Sequence, residues 1–541
     1  MRPRFISSFS IAACAASAVL ALVLPAMAAD ADLPRLEKRG ARTQLIVDGK
    51  PFIVLGGQVG NPSAFPERMQ RAQPAFRAMH LNAIEFPIYW GQIEPVEGTF
   101  DFAAVDQILQ GLRQQGLRAI PLWFGTYKNG AMDYAPNWVK QDGKRFPRVL
   151  NRAGDPIAVL SPHGQATLEA DRTAFAALMK HLRETDSAHT VIMVQVENES
   201  GVLGSPRDYS ADATRLYQSA VPASLVQALH KQPGTWQQVF GRQSEEMFTG
   251  YHLSSYINAV AHAGKAVYPL PMFVNVWMGG DGTNDRMTEF DRPGDSYPSG
   301  GPQSHMIDLW KTTAPDIDII GPDIYHRNSS VYRMILDRYD RPDNPLLVVE
   351  TGGAMRYARY CFVALGRHGA IGFSPFGVDR GGGQELSSDF QPVADNFRVL
   401  QQILPALPDL QAAGKLQSAI EEENVPGQML YFSGWDVLVR FRPGAPASGA
   451  TGTGPAGEPS GRALVGQLGA DEFLVAGFDA AVDFKPALGE TSRSTDYLSV
   501  EEGGYENGAW KTREVWNGNF VIRGLGLRPG GTVMRVKLLK Y

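Results

Sequence analysis

Cysteine is almost missing from this chain: two residues in 541, Cys14 and Cys361. Cys14 falls in an N-terminal segment with the features of a cleaved leader, and one remaining thiol cannot close an intrachain disulfide. The core must therefore hold without covalent staples. Cys361, inside the apolar run 357–365, is expected to be a buried small hydrophobe rather than a nucleophile. Metal and nucleotide motifs are missing as well. There is no H-E-x-x-H, no C-x-x-C and no G-x-x-x-x-G-K-[ST], and no G-x-S-x-G elbow of a serine esterase. No metal and no cofactor is therefore expected. Nor is there an excess of either charge: 51 Lys and Arg against 56 Asp and Glu leave a net charge of −5. That balance gives no basis for binding nucleic acid or an anionic membrane, and it suits a neutral ligand.

What is present is an ordinary globular composition, 44% hydrophobic and 20% charged, in a chain long enough for more than one domain. Met1-Arg2-Pro3-Arg4 is basic, an apolar stretch follows to Leu24, and Ala26-Met27-Ala28 has the small-x-small pattern of a signal-peptidase site. Residues 1–28 are read as a signal peptide, which makes the mature protein exported, periplasmic or extracellular, with no membrane association after cleavage.

Around Asp48-Gly49 two apolar stretches predict a hairpin. Eight short apolar runs follow, at 52–57, 82–89, 118–124, 190–196, 271–277, 317–323, 346–349 and 370–374. Helical patterns such as 103–115 and 165–183 lie between them. Continuous rather than alternating apolar runs suit strands covered on both faces, and eight β-then-α units predict a (β/α)8 barrel over residues 29–403. The connections 200–268 and 278–306 are long, and the second is Gly-, Asp- and Pro-rich, which marks a loop on the active face. Beyond residue 404, short strand patterns at 430–432, 436–440, 472–478 and 533–539, with turns such as Asn507-Gly508, predict a C-terminal β-sandwich over 404–541. Within it, 443–461 is almost entirely Gly, Pro, Ala, Ser and Thr, the composition of a flexible loop.

Two strand ends carry chemistry. Val194-Gln195-Val196-Glu197-Asn198-Glu199 closes the fourth run with carboxylate, amide and carboxylate. Val348-Val349-Glu350 closes the seventh with a lone carboxylate after aliphatics. Buried polar groups are costly, so their placement at the catalytic end of barrel strands points to function. Side-chain alternation would turn Asn198 away from Glu197 and Glu199, so a bulge is needed for both Asn198 and Glu199 to reach a ligand. Strands four and seven face each other across a barrel mouth. Two carboxyls so placed can flank one glycosidic bond, one attacking the anomeric carbon and the other exchanging a proton with the leaving oxygen.

The stretch 195–201 resembles the Q-[IV]-E-N-E-x-G motif of glycoside hydrolase family 35, the β-galactosidases of a large retaining clan with barrel folds. Leu81-Asn82-Ala83-Ile84 and the stretch from Glu94-Pro95 to Asp101-Phe102 resemble two further motifs of that family. The resemblance covers about residues 45–201. It implies Glu199 as acid/base, Asn198 as ligand of the sugar 2-hydroxyl and Glu350 as nucleophile. Tyr325 resembles the clan's tyrosine that orients the nucleophile, and Asn275, Trp277 and Phe376 stand where sugar contacts are expected. Where the family has C-A-E-W after strand three, this chain has Phe124-Gly125-Thr126-Tyr127, so Thr126 replaces a sugar-binding carboxylate. Pro87 stands for the usual tyrosine, with Tyr89 as its substitute, and Glu85 is read either as the missing charge or as half of a strand-end ion pair. The implied function is a retaining exo-β-galactosidase acting on galactosylated oligosaccharide or plant polysaccharide such as xyloglucan. Two alternatives stay open: another retaining glycosidase of the clan (β-glucosidase, arabinosidase or endo-glucanase), or a catalytically silent carbohydrate-binding protein.

Overall fold

The computed structural model describes residues 33–280, 291–380, 385–423, 425–441, 458–521 and 524–541. The leader reading at 1–28 and most of the 443–461 segment lie outside them. No helix of the described residues is long and apolar enough to cross a membrane.

Eight parallel strand positions close on themselves: Val54–Gln58, Ala83–Tyr89, Arg118–Lys128, Val194–Asn198, Met272–Trp277, Ile319–Ile324, a seventh in two pieces (Leu347–Val348 and Glu350–Thr351), and Gly372–Phe373. The two pieces of the seventh strand make the closure. Leu347 and Val348 pair with Gly372 and Phe373, whereas Glu350 and Thr351 pair with Asp323 and Ile324 on the other side. Gly372 then pairs with Val54, completing the ring. The helices include Ala103–Gln114 and Gln165–Thr185, within two residues of the periodic patterns that predict them. The long fourth connection is mostly helical and ends in Ser244–Val267.

Alternation divides the core in two. Ile120, Leu122 and Phe124 point into the barrel with Phe273, Ile319, Leu347 and Val349. Ala119, Trp123, Val194, Val196 and Val274 point outward beneath the helices. The barrel floor is closed by a three-stranded antiparallel sheet, Arg35–Arg39, Arg42–Val47 and Lys50–Phe52. Leu45 and Val47 from that sheet enter the interior cluster. Its second turn has Asp48 at φ 51° and Gly49 at φ 71°, the two positive angles that a tight two-residue hairpin requires.

After a last helix pair, Gln391–Gln401 and Leu407–Ala412, the chain builds a six-stranded and a four-stranded antiparallel sheet. Trp435, Val437 and Val482 of the smaller sheet share one core with Val465, Val475 and Val536 of the larger, which makes a sandwich. The larger sheet buries its other face too: Leu464, Leu474, Ala476, Phe478 and Val533 pack with the barrel's helical shell. At its edge, Glu458, Ser460 and Gly461 are fastened rather than free. Glu458 pairs with Arg356 at 3.3 Å, and the N–H groups of Ser460 and Gly461 donate to Glu421 at 2.9 Å. The expected loop therefore cannot run to residue 461, because these backbone donors have a carboxylate to satisfy them. Cys361 is buried and free, and burial pushes its thiol far above the ordinary range.

Candidate active site

The strands end in a cavity of about 290 Å³. It is walled by Asn61, Lys128, Asn129 and Glu199 on one side and by Trp277, Met278, Asp323 and Tyr325 on another. Ile335, Glu350, Phe376 and Arg380 complete the lining.

Regular alternation fails where the chemistry begins. Glu197 has φ 63° and Glu199 φ 44°, left-handed values that non-glycine residues adopt only against a cost of about 1–2 kcal/mol each. The surroundings hold this backbone. The Gln195 amide donates to the Glu197 carbonyl at 2.9 Å, Asn129 N–H donates to the Asn198 carbonyl at 3.0 Å, and Glu199 N–H donates to Asn275 Oδ1 at 2.8 Å. The result separates three consecutive side chains. Glu197 turns outward, where it accepts from the N–H groups of Thr126 at 3.1 Å and Tyr127 at 2.7 Å. Asn198 meets Lys128, and Glu199 enters the cavity.

Glu350 arrives from the opposite wall. Tyr325 donates its hydroxyl to Glu350 Oε1 at 2.6 Å, and Gln58 donates its amide to Oε2 at 3.1 Å. Asp323, a carboxylate that sequence reasoning passed over, stands with them: one oxygen each from Glu199, Asp323 and Glu350 lie within 4.8 Å of one another. Such spacing suits a cation as well as a proton, and an acidic cluster by itself assigns no metal. Burial raises the carboxyl of Asp323 well above its ordinary value, and the charges of Glu350 and Glu199 raise it further. Three adjacent carboxylates cannot all ionise, so at least one proton is held within the group. Burial also raises Glu350, but Lys128, Tyr325, Gln58 and Arg380 all act in the opposite direction. Asp323, pushed up by burial and by both neighbouring carboxylates, is disposed to hold a proton.

The other expected contacts divide. Trp277 and Phe376 line the cavity, and the Arg380 guanidinium lies 4.9 Å from the Phe376 ring centre. Asn275 supports the wall, donating to Asp323 at 2.8 Å while it accepts from Glu199 N–H. Tyr89 is set back, its ring tilted against Tyr134 with centres 4.5 Å apart and its hydroxyl donating to the carbonyl of Asn61. Thr126 corrects the expectation of a sugar contact. The register of strand three slips between Trp123 and Lys128, and this turns Thr126 outward to donate to Asp171 at 2.6 Å beside Tyr256 at 2.8 Å. Glu85 corrects both of its readings. It is fully buried, is absent from the cavity lining, and makes no ion pair among the described residues. Lys128, Asn129, Gln58 and Asp323 are the residues missed. Each sits at or just past a strand end, and that position was the available signal.

Comparison with known proteins adds two family matches. Residues 44–280 match Glycosyl hydrolases family 35, and residues 393–520 match a Domain of unknown function (DUF5597). The first match includes Glu199 and stops before Glu350; the second begins inside the last barrel helix. A β-galactosidase of Xanthomonas manihotis is 33% identical over 211 residues, which is 37% of this chain and 32% of that protein. The chain thus matches about a third of that relative's length. Among solved structures, the β-galactosidase of Bacillus circulans sp. alkalophilus aligns at a TM-score of 0.47 with 15% identity, covering 65% of this chain and 56% of its own. That of the psychrophilic Marinomonas ef1 aligns at 0.48 with 12% identity, covering 66% and 61%.

Proposed function

We propose, from the match of residues 44–280 to glycosyl hydrolases family 35, that this chain is a retaining exo-β-galactosidase with Glu199 as acid/base and Glu350 as nucleophile. The observation that carries the reading is the approach of the two carboxyls, one oxygen of each lying within 4.8 Å of the other. Retaining glycosidases hold their carboxyls about 5–5.5 Å apart, and inverting ones need roughly 6.5–9.5 Å to admit a water between them.

In the first step a Glu350 oxygen attacks the anomeric carbon while the glycosidic C–O bond breaks, and Glu199 delivers its proton to the departing oxygen. In the second, Glu199 takes a proton from water, the water oxygen attacks the anomeric carbon, and the ester to Glu350 breaks. Tyr325 and Gln58 favour the charged form of the nucleophile through two hydrogen bonds, against the upward push of burial. Asp323 lies where it can stabilise the proton on Glu199 before transfer. A cavity of about 290 Å³ suits one terminal pyranose and part of its neighbour, which supports exo-action. The Xanthomonas relative's name supports galactose. A terminal galactosyl residue on plant polysaccharide such as xyloglucan is the substrate class we favour, and the leader-like N-terminus supports export to the periplasm or beyond.

A panel of aryl glycosides tests the sugar: β-galactosides should turn over fastest, and faster β-glucosides or α-arabinosides would assign another retaining glycosidase. Azide tests the roles. With Glu350→Gly it should occupy the vacated face and yield the α-galactosyl azide. With Glu199→Ala and a dinitrophenyl galactoside it should yield the β-azide, because that leaving group needs no acid and azide needs no base. Reversed anomers would exchange the two assignments.

A further inference from the structure

Beyond the pull of its charge on Glu350, Lys128 takes no part in the mechanism above, yet it is buried in the wall of the cavity, 6% exposed. It makes no ion pair within 4 Å among the described residues. Its ammonium stands 4.9 Å from the Phe124 ring centre and donates to Asn198 Oδ1 at 2.6 Å. An ammonium has three donors and no acceptor, so it can meet a carboxamide only at the oxygen. This contact fixes which way the Asn198 amide faces, an orientation otherwise open to a half-turn. The Nδ2 end is left fully buried with no acceptor among the described residues. Buried donors are rarely left unmade; Asn198 itself does not reach the cavity lining, but its contact Lys128 and its chain neighbour Glu199 both do. The next residue along repeats the device: Asn129 Nδ2 donates to Glu199 Oε2 at 2.5 Å, and Asn129 N–H donates to the Asn198 carbonyl. Asn129 holds φ 54° to do so, within the left-handed region that asparagine tolerates better than most residues. Lys128-Asn129 therefore grips Asn198-Glu199 residue against residue.

We propose that Lys128 is a positioning residue of the glycosidase site, which locks the Asn198 amide with Nδ2 as hydrogen-bond donor to the substrate's 2-hydroxyl oxygen. This rests on the function proposed above. With Nδ2 donating, the sugar oxygen must accept, which leaves the hydroxyl hydrogen free to be given toward Glu350 as the bond to the leaving group breaks. The strand-three terminus thus acts on the sugar through an amide, where the family pattern places a carboxylate directly against it.

The test compares 4-nitrophenyl β-galactoside with its 2-deoxy analogue, on the plateau of each pH profile, in the parent protein, Lys128→Met and Lys128→Arg. The parent should prefer the hydroxylated substrate. Lys128→Met should lose about ten- to a hundred-fold in kcat/KM on that substrate, the effect of one hydrogen bond made by a charged group, and less than about three-fold on the deoxy analogue. Lys128→Arg, which keeps a donor-only cation, should recover most of the loss. In an Asn198→Ala background, Lys128→Met should cost nothing further. Equal losses on both substrates, or a full extra loss in that background, would overturn the positioning role while leaving the glycosidase intact. If the parent hydrolyses neither substrate, the glycosidase reading falls and the role of Lys128 falls with it.

Discussion

Replacing Glu85 by glutamine should make the protein more stable, and by an amount that grows with pH. Glu85 sits on the second strand between Gln58 and Ile120 and is fully buried. Neither carboxyl oxygen has a hydrogen-bond partner among the described residues. The Ser374 hydroxyl is near enough to ease a charge without making a bond of good geometry. Burial pushes the carboxyl from 4.5 up to about 8, with a further push from Glu350. In the unfolded chain the same group ionises near 4.5, so between these two values folding requires it to take up a proton. Below pH 4.5 the group is neutral in both states and costs nothing. Above it, each pH unit removes about 1.4 kcal/mol of folding stability until the folded carboxyl itself ionises near pH 8. Glutamine has no such dependence. Its advantage over the parent should therefore widen by about 3–4 kcal/mol between pH 5 and pH 8, on top of a constant offset from the altered packing. Denaturant midpoints of both proteins, measured at several pH values across that interval, read the slope directly. The other carboxyls of the cavity titrate in both proteins, so most of their effect cancels in the difference. A difference that stays flat or shrinks as pH rises would mean that Glu85 is ionised and satisfied in the fold, and the reasoning from burial would fail.

Tyr325→Phe removes the 2.6 Å donor to Glu350. Hydrogen bonds to a charge are worth roughly 1.5–3 kcal/mol, so the acidic limb of kcat/KM should move up by about one to two pH units in a pH–rate profile. Gly125→Ala would set a Cβ 2.3 Å from the Trp123 indole nitrogen and 2.8 Å from Glu197 Oε1. It should disrupt the outward pocket of Glu197 and lower kcat by an order of magnitude or more, whereas Gly116→Ala, which meets no atom, should leave kcat alone. Arg462→Met leaves Asn396 Oδ1 and the Ser460 carbonyl without their 2.6 Å partner. Each orphaned acceptor should cost roughly 1–3 kcal/mol, visible as a lower denaturation midpoint with kcat unchanged.

The barrel was readable because its strands are buried on both sides: runs such as 346–349 and 52–57 have no polar face to interrupt them. Glu350 was readable for the complementary reason, a lone carboxylate directly after such a run, whereas Glu199 stood out only as part of the Glu197-Asn198-Glu199 stretch, whose first carboxylate has a structural role. Lys128 and Asn129 were not, because the apolar run that marks strand three stops at Phe124 while the strand continues to Lys128. The same slip in register misled the reading of Thr126. A bulge is a backbone event, and the two positive φ angles at Glu197 and Glu199 fall on residues whose type does not announce them. Asp323 escaped notice beside Tyr325 because its partners, Asn275 and Glu199, come from other strands. The helix Ser244–Val267 was hidden differently: it buries Glu246, Thr249 and Ser254 along with its aliphatics, so it presents no clean amphipathic stripe.

The larger sandwich sheet has no spare face, and this bears on how such a protein can be taken apart. Appended modules that trade places between enzymes are usually joined by a linker and keep their own solvent-facing skin. Here Leu464, Leu474, Phe478 and Val533 complete the same apolar cluster as Phe362, Phe397 and Leu400 of the barrel helices. Arg462 is sunk between the units, 3.8 Å from the Phe478 ring. A barrel expressed alone would carry an open apolar seam along its last helices, and a sandwich expressed alone would carry the matching one, each a site for aggregation. Exchange of the sandwich for a relative's would have to bring the last barrel helix with it. The two units share one apolar cluster, and the workable cut runs through the barrel rather than between the domains.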